Sequence, residues 1–382
     1  VTDVAIIENA RIVTADAVVA GWVALAEGRI LELGEGRAPE RGLDLEDDYL
    51  LPGFIEIHTD NLEAHFVPRP KVEWHVGSAV LSYDAQIAAA GITTVFDSLR
   101  IGFNDDEARA ACGAKTHELA DALAGAAAGK HLRADHLMHL RCEVPSPDVV
   151  TSLRRFLAAH PVHLISLMDH TPGQRQFRDI EKYFIYYGGK TGKSEAEIRA
   201  LVEHRQRRGK ALADANRPQI VKLAHDHGVP LASHDDTTLE EVSQSIAEGV
   251  SIAEFPTTLE AAIASREAGL ATVMGAPNVV RGGSHSGNVA AAELAHHGAL
   301  DILSSDYVPA SLLLAAFQLA DVPALGGLPG AVRLVTRNPA EATGLKDRGE
   351  IAPGKKADLI RVHVDGDHPI VRRVWRAGVR VA

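Results

Sequence analysis

At 382 residues, with 46% hydrophobic and 24% charged, the chain has room for two domains or one barrel with an appended part, and its composition excludes a disordered chain. A formal net charge of −12 argues against nucleic acid or an anionic membrane as a partner, because either needs a basic face, but leaves room for a local basic pocket. Two cysteines, Cys112 and Cys142, are too few for a disulfide-stapled scaffold and predict a reduced, cytoplasmic setting.

Residues 1–10 carry acidic groups and lack the apolar stretch of a signal peptide, and no apolar run approaches the roughly 18–20 residues that span a bilayer. Residues 4–13 and 18–33 are β-rich runs broken by turn residues. Short apolar runs then alternate with Ala-rich helical patterns, as in βα units on a parallel sheet. The candidate strands are 54–58, 92–97, 136–142, 162–168, 229–233, 251–255, 270–274 and 300–305. Residues 173–217, rich in Arg, Lys, Tyr and Gly, read as an insertion after the fourth strand, and 357–364 and 371–381 return to strand patterns. The expected fold is α/β: a (β/α)8 TIM-type barrel over 53–345, beside a small β-sandwich built from 1–52 plus 346–382.

In such a barrel the functional side chains stand at the C-terminal strand ends. The first strand ends at His58, and alternation places Asp60 on the same side. Imidazole and carboxylate suit a divalent cation, although Asp60 also reads as a helix cap and His58 as a buried core residue. The third strand ends at Glu143, the fourth at Asp169-His170, the fifth at His234 and the eighth at Asp306. Together His58, Asp60, Glu143, His170, His234 and Asp306 make six convergent ligands, enough for two divalent cations of the Zn, Mn, Fe or Ni kind sharing a carboxylate and a water. Glu143 is the expected bridge, with Glu254 the competing carboxylate. Asp306 is the expected proton acceptor.

Positive charge gathers at the same rim: Arg69, Lys71, Arg141, Arg175, Arg178, Lys182, Lys190, Lys193, Arg281 and His285. In an acidic protein this favours a small polyphosphate substrate, since guanidinium forks match phosphate oxygens; the competing reading is an ordinary solvated face. Cys142 reads as a core thiol, and His136, His139 and His163 as buried, hydrogen-bonded residues. Asp235 and Asp236 either orient His234 or cap the next helix.

Residues 51–58 (LPGFIEIH), 91–95 (GITTV), 336–340 (TRNPA) and 349–359 (GEIAPGKKADL) are similar to the amidohydrolase superfamily. Most of its members carry His-x-His on the first strand, where this chain has His58-x-Asp60. The chain also lacks a lysine in the usual bridging context. Residues 58–63 (HTDNLE), 68–74 (PRPKVEW), 168–176 (MDHTPGQRQ), 233–236 (SHDD), 275–278 (GAPN) and 282–288 (GGSHSGN) resemble a narrower group, the α-D-ribose 1-methylphosphonate 5-triphosphate diphosphatases of the carbon–phosphorus lyase pathway. That resemblance implies hydrolysis of the triphosphate to the 5-phosphate and pyrophosphate in phosphonate catabolism. The alternatives are a C–N hydrolase of the adenine-deaminase kind and a barrel scaffold without catalysis. Oligomeric state, a homo-oligomer included, is open at this stage.

Overall fold

A computed structural model describes residues 5–69, 72–102, 115–171, 195–284 and 287–382. Lys71, Arg175, Lys182, Lys190 and His285, expected to contact substrate, lie outside them, as do Arg178 and Lys193.

Eight strands form one parallel sheet in chain order: β6 (Phe54–Thr59), β7 (Ile92–Ile101), β8 (Asp135–Glu143), β9 (Leu164–Met168), β10 (Leu231–His234), β11 (Ile252–Glu254), β12 (Ala271–Gly275) and β13 (Ile302–Ser304). β6 and β7 are buried along their whole length, so their polar residues, Glu56 and His58 on β6 and Asp97, Ser98 and Arg100 on β7, are buried with them. The first and last strands meet at one end: Thr59 bridges Asp306 in parallel, Asp306 N–H donates to the His58 carbonyl (3.2 Å), and Asp60 N–H donates to the Asp306 carbonyl (3.3 Å). Ile55, Ile57, Phe96, Leu164, Ile252, Val273 and Ile302 pack in one buried cluster, a second and larger cluster including strand and helix residues.

Between these strands run α1 (Asn61–Phe66), α2 (Val76–Ala89), α3 (Thr116–Ala128), α4 (Val149–Ala159), α5 (Glu195–His227), α6 (Leu239–Ala247), α7 (Leu259–Glu267), α8 (Ala276–Val280) and α9 (Ala291–His296). Of the expected insertion, residues 173–194 lie outside the described residues. From Glu195 onward it is already α5, a single helix of 33 residues that leads into β10.

The chain ends pair with each other. β1 (Ala5–Val13), β2 (Val18–Ala26), β3 (Arg29–Glu35), β4 (Leu43–Asp44) and β5 (Tyr49–Pro52) join β14 (Leu359–Asp365), β15 (His368–Arg376) and β16 (Val379–Arg380) in one mixed sheet, ordered β16-β15-β14-β5-β1-β2-β3 with β4 on β1. The N- and C-terminal parts are stitched where β5 runs antiparallel to β14, Leu359 opposite Pro52. The hydrogen bonding joins these strands into one continuous sheet around its own cluster of Ile12, Val23, Ile30, Leu50, Leu359 and Trp375. Gly91 turns the chain into β7 at φ +93°, where a β-carbon would lie 2.8 Å from the Ile360 side chain. Glycine is required there both for its left-handed backbone and for the close approach of the two sheets.

Candidate metal centre

Three histidines and a carboxylate from four different strands meet at the rim. Glu254, the last residue of β11, is fully buried, and one carboxylate oxygen lies 2.9 Å from His58 Nδ1 while the other lies 3.1 Å from His234 Nδ1. Behind them His139 lies 3.8 Å from Glu254 and contacts the Ile57 carbonyl (2.9 Å) and Ser98 Oγ (3.0 Å). Ser166 Oγ donates to Glu254 at 2.8 Å. The His58 and His234 rings stack at 5.4 Å, and Phe255 packs edge-on to both at 4.9 and 5.2 Å.

Burial dominates the acid–base state of these rings. It pushes His58, with Arg141 adding to the effect, down to about 3. It pushes His139 and His234 down to about 3 as well, although Glu254 opposes the shift in both. All three are therefore neutral at pH 7, the form that offers a nitrogen lone pair.

A second cluster adjoins the first. His170 Nδ1 lies 2.8 Å from Glu143 Oε1, and the buried Arg100 donates to that same oxygen at 2.8 Å. His170 and His234 ring centroids are 5.6 Å apart, and His234 Nε2 is 3.4 Å from Asp235 Oδ2. Two sets of ligand-type atoms lie within 4.8 Å of one another: His58, His139 and Glu254, and His170, His234 and Asp235.

The remaining expected residues fall into place unevenly. Asp60 occupies the N-cap position of α1 but its side chain makes no capping hydrogen bond; it lies 3.8 Å from Arg141 Nη1. Arg141 is buried, with Glu63 as a 2.9 Å partner, so much of its charge is engaged by carboxylates. Asp306 sits on the closing seam, in left-handed backbone at φ +54°. Arg69 and Arg281 are exposed on loops after α1 and α8. Asp235 and Asp236 do not cap α6; Thr238 does, in a capping box with Glu241.

Several residues of the cluster were not among those expected to be ligands. His139 was read as a buried hydrogen-bonded residue, which it is, but it also faces Glu254. Arg100 and Ser166 carried no signal of their own. Glu56 did: it is a charge inside an otherwise apolar strand. Its carboxylate accepts from His58 N–H (2.7 Å) and Ser305 N–H (2.5 Å), holding β6 to the end of β13, and burial raises it to about 7.

The donor set fits a cation. His58 Nδ1 and Glu254 Oε1 are 2.9 Å apart without hydrogen-bond alignment, and among the described residues neither atom has another hydrogen-bond partner. A buried carboxylate ringed by neutral imidazoles lacks its counter-charge, and a buried unpaired charge is costly; a divalent cation supplies that charge. Beside the end of β9 lies a cavity of about 340 Å³ lined by Val144, Asp169, Lys210, Asp214, Arg217 and Glu241.

The sequence profile of the Amidohydrolase family matches residues 194–381. Over 380 residues, 98% of this chain and 100% of the relative, the sequence is 47% identical to the α-D-ribose 1-methylphosphonate 5-triphosphate diphosphatase of Escherichia coli. It is 26% identical to an adenine deaminase of Nitratidesulfovibrio vulgaris, spanning 57% of that protein's length. The backbone is similar to N-acetyl-D-glucosamine-6-phosphate deacetylase from Mycobacterium smegmatis, with a TM-score of 0.65 at 17% identity, covering 99% of this chain and 100% of that one.

Proposed function

Because the chain belongs to the amidohydrolase family, we propose that it hydrolyses α-D-ribose 1-methylphosphonate 5-triphosphate to the 5-phosphate and pyrophosphate, in phosphonate catabolism. The observation that carries this reading is the 47% identity with the Escherichia coli diphosphatase over both full lengths. The parallel sheet is read as a (β/α)8 barrel, the sheet of the chain ends as a small sandwich folded over its own core, and the cytoplasm as the setting.

His58, Asp60, His170, His234 and Asp306, with Glu143 or Glu254 as the shared carboxylate, would hold two divalent cations. Such cations, Zn, Mn, Fe or Ni by the donor types, supply Lewis acidity and a more acidic water than bulk solvent. The protein's own part is then specific. Asp306 accepts the proton of the attacking water. Glu56 fixes the backbone on either side of it, at His58 and Ser305. Arg69, Lys71, Arg175, Lys182, Lys190, Arg281 and His285 neutralise the phosphate oxygens and the departing pyrophosphate. Arg141, buried against Glu63 and Asp60, has less charge left for substrate and serves mainly to orient Asp60.

The test is product analysis with the purified, metal-loaded chain. Incubation with the ribose phosphonate triphosphate should yield one pyrophosphate per substrate consumed, faster than with nucleoside triphosphates. Ammonia from adenine, or opening of a cyclic amide, with no pyrophosphate from any triphosphate would defeat the reading and favour a C–N hydrolase.

A further inference from the structure

Away from the rim, two more histidines face each other across neighbouring helices. His117 lies in the first turn of α3, and His160 is the residue that ends α4. His117 Nδ1 and His160 Nε2 are 3.2 Å apart. Asp121 is four residues after His117 and so shares its helix face; its carboxylate lies 3.8 Å from the same His160 nitrogen.

We infer that His117, His160 and Asp121 form a further divalent-metal site, of zinc type, on the outer helical layer. Nitrogens held about 2.0–2.1 Å from a tetrahedral zinc stand about 3.3–3.4 Å apart, so the observed pair is already at ligand spacing. The rings are also held in place. Phe156, fully buried, packs against His117 at 5.1 Å and against His160 at 4.7 Å between centroids. A preset pair loses little side-chain freedom when it takes an ion. Asp121 is 74% exposed, with room to turn from its 3.8 Å contact with His160 toward the pair and bring a negative charge to it. Burial, followed by Arg155 and then His160, lowers the His117 pKa, which keeps its lone pair available at neutral pH. Arg155 is the opposing feature, a cation near the site that Asp121 must offset.

The competing account is an ordinary hydrogen bond between the two imidazoles, and the two accounts differ in metal content. The full chain dialysed against zinc should hold one more zinc than His117→Gln or His160→Gln treated alongside. His58→Asn, which strikes the rim centre, should keep that extra ion, so failure of this site and failure of the proposed function are read separately. Asp121→Asn alters an exposed side chain and leaves folding out of question. It should weaken the extra zinc on the order of ten- to a hundredfold, the range seen when a supporting group at a metal site is lost. A cobalt(II) difference spectrum, wild type minus Asp121→Asn with three cobalt ions supplied per chain so that the rim centre is filled in both, should show tetrahedral visible bands. Equal zinc in wild type and both histidine variants, or a featureless difference spectrum, overturns the inference.

Discussion

Three residues at the barrel rim stand in left-handed backbone: Asp235 (φ +58°), Phe255 (φ +54°) and Asp306 (φ +54°). Each directly follows, or lies within two residues of, the end of β10, β11 or β13, and the conformation costs an L-residue roughly 1–2 kcal/mol. Aspartate tolerates it more readily than phenylalanine, whose ring here packs edge-on against both His58 and His234. Strain gathered at such a place marks where backbone geometry has been set by the site rather than by the strands. Glu254 is the residue this geometry serves, and its replacement is informative. Glu254→Gln keeps the shape and removes the charge, so bound metal measured by elemental analysis should fall by about one ion per chain and turnover by roughly a hundredfold or more. Unchanged metal and rate would return the shared-carboxylate role to Glu143. The sequence alone favours Glu143 with Glu254 as the competitor, a choice that turns on where strands 136–142 and 251–255 end. What separates them is invisible there: Arg100, 43 residues earlier, and His170 occupy one oxygen of Glu143, while Glu254 faces two neutral imidazoles.

At the scale of elements, β7, β8 and α2 are locked by a buried triad of charges. His136 on β8 contacts Asp97 on β7 through Nδ1 at 3.0 Å and Asp84 on α2 through Nε2 at 3.3 Å. Asp84 also accepts from Arg133 and Ala134 N–H at 2.8 and 3.0 Å. Burial disfavours a charged His136 ring, but Asp97 and Asp84 outweigh it and raise its pKa to about 9. The unfolded value is near 6.5, so the stabilisation is complete below that pH and is lost as pH rises through about 9, at most about 3 kcal/mol. Urea midpoints measured from pH 6 to 10 should fall along that limb in the wild type, and the fall should be absent in His136→Gln. Parallel profiles for the two proteins would count against the triad. The eight apolar runs read from the sequence correspond to β6–β13, yet β7 extends four residues past its expected end at Asp97. Asp97 and Ser98 look like a strand terminus because they are polar. They continue the strand because His136 and His139 satisfy them from β8, partners that no local pattern displays.

For the molecule as a whole, the decisive joint is the one between the barrel and the sheet of the chain ends. Asp135, at the start of β8, receives Lys356, Arg348 (2.7 Å) and Arg376 (3.5 Å), all from the last 35 residues of the chain. Arg348 also donates to Thr94 Oγ1 on β7 and pairs with Asp347, each at 2.8 Å. Burial would raise the Asp135 pKa, but Lys356 and then Arg348 more than reverse this and lower it. One carboxylate thus draws three cations to the contact of two separately built sheets, with Asp347 and Asp358 sharing the charge of Arg348 and Lys356. Asp135→Asn removes that charge and leaves the cations crowded in a half-buried space, at a cost of about 2 kcal/mol once solvent screening of the partly exposed group is allowed for. Two of the three tryptophans, Trp22 and Trp375, are in the end sheet, so fluorescence reports mainly on it, while far-UV circular dichroism is dominated by the barrel helices. In wild type the two signals should change together under urea, as one cooperative unit. In Asp135→Asn the fluorescence transition should move to lower urea and separate from the helical one. A single coincident transition at the wild-type midpoint would mean that the apolar contacts around Gly91 and Ile360 hold the joint without help from charge.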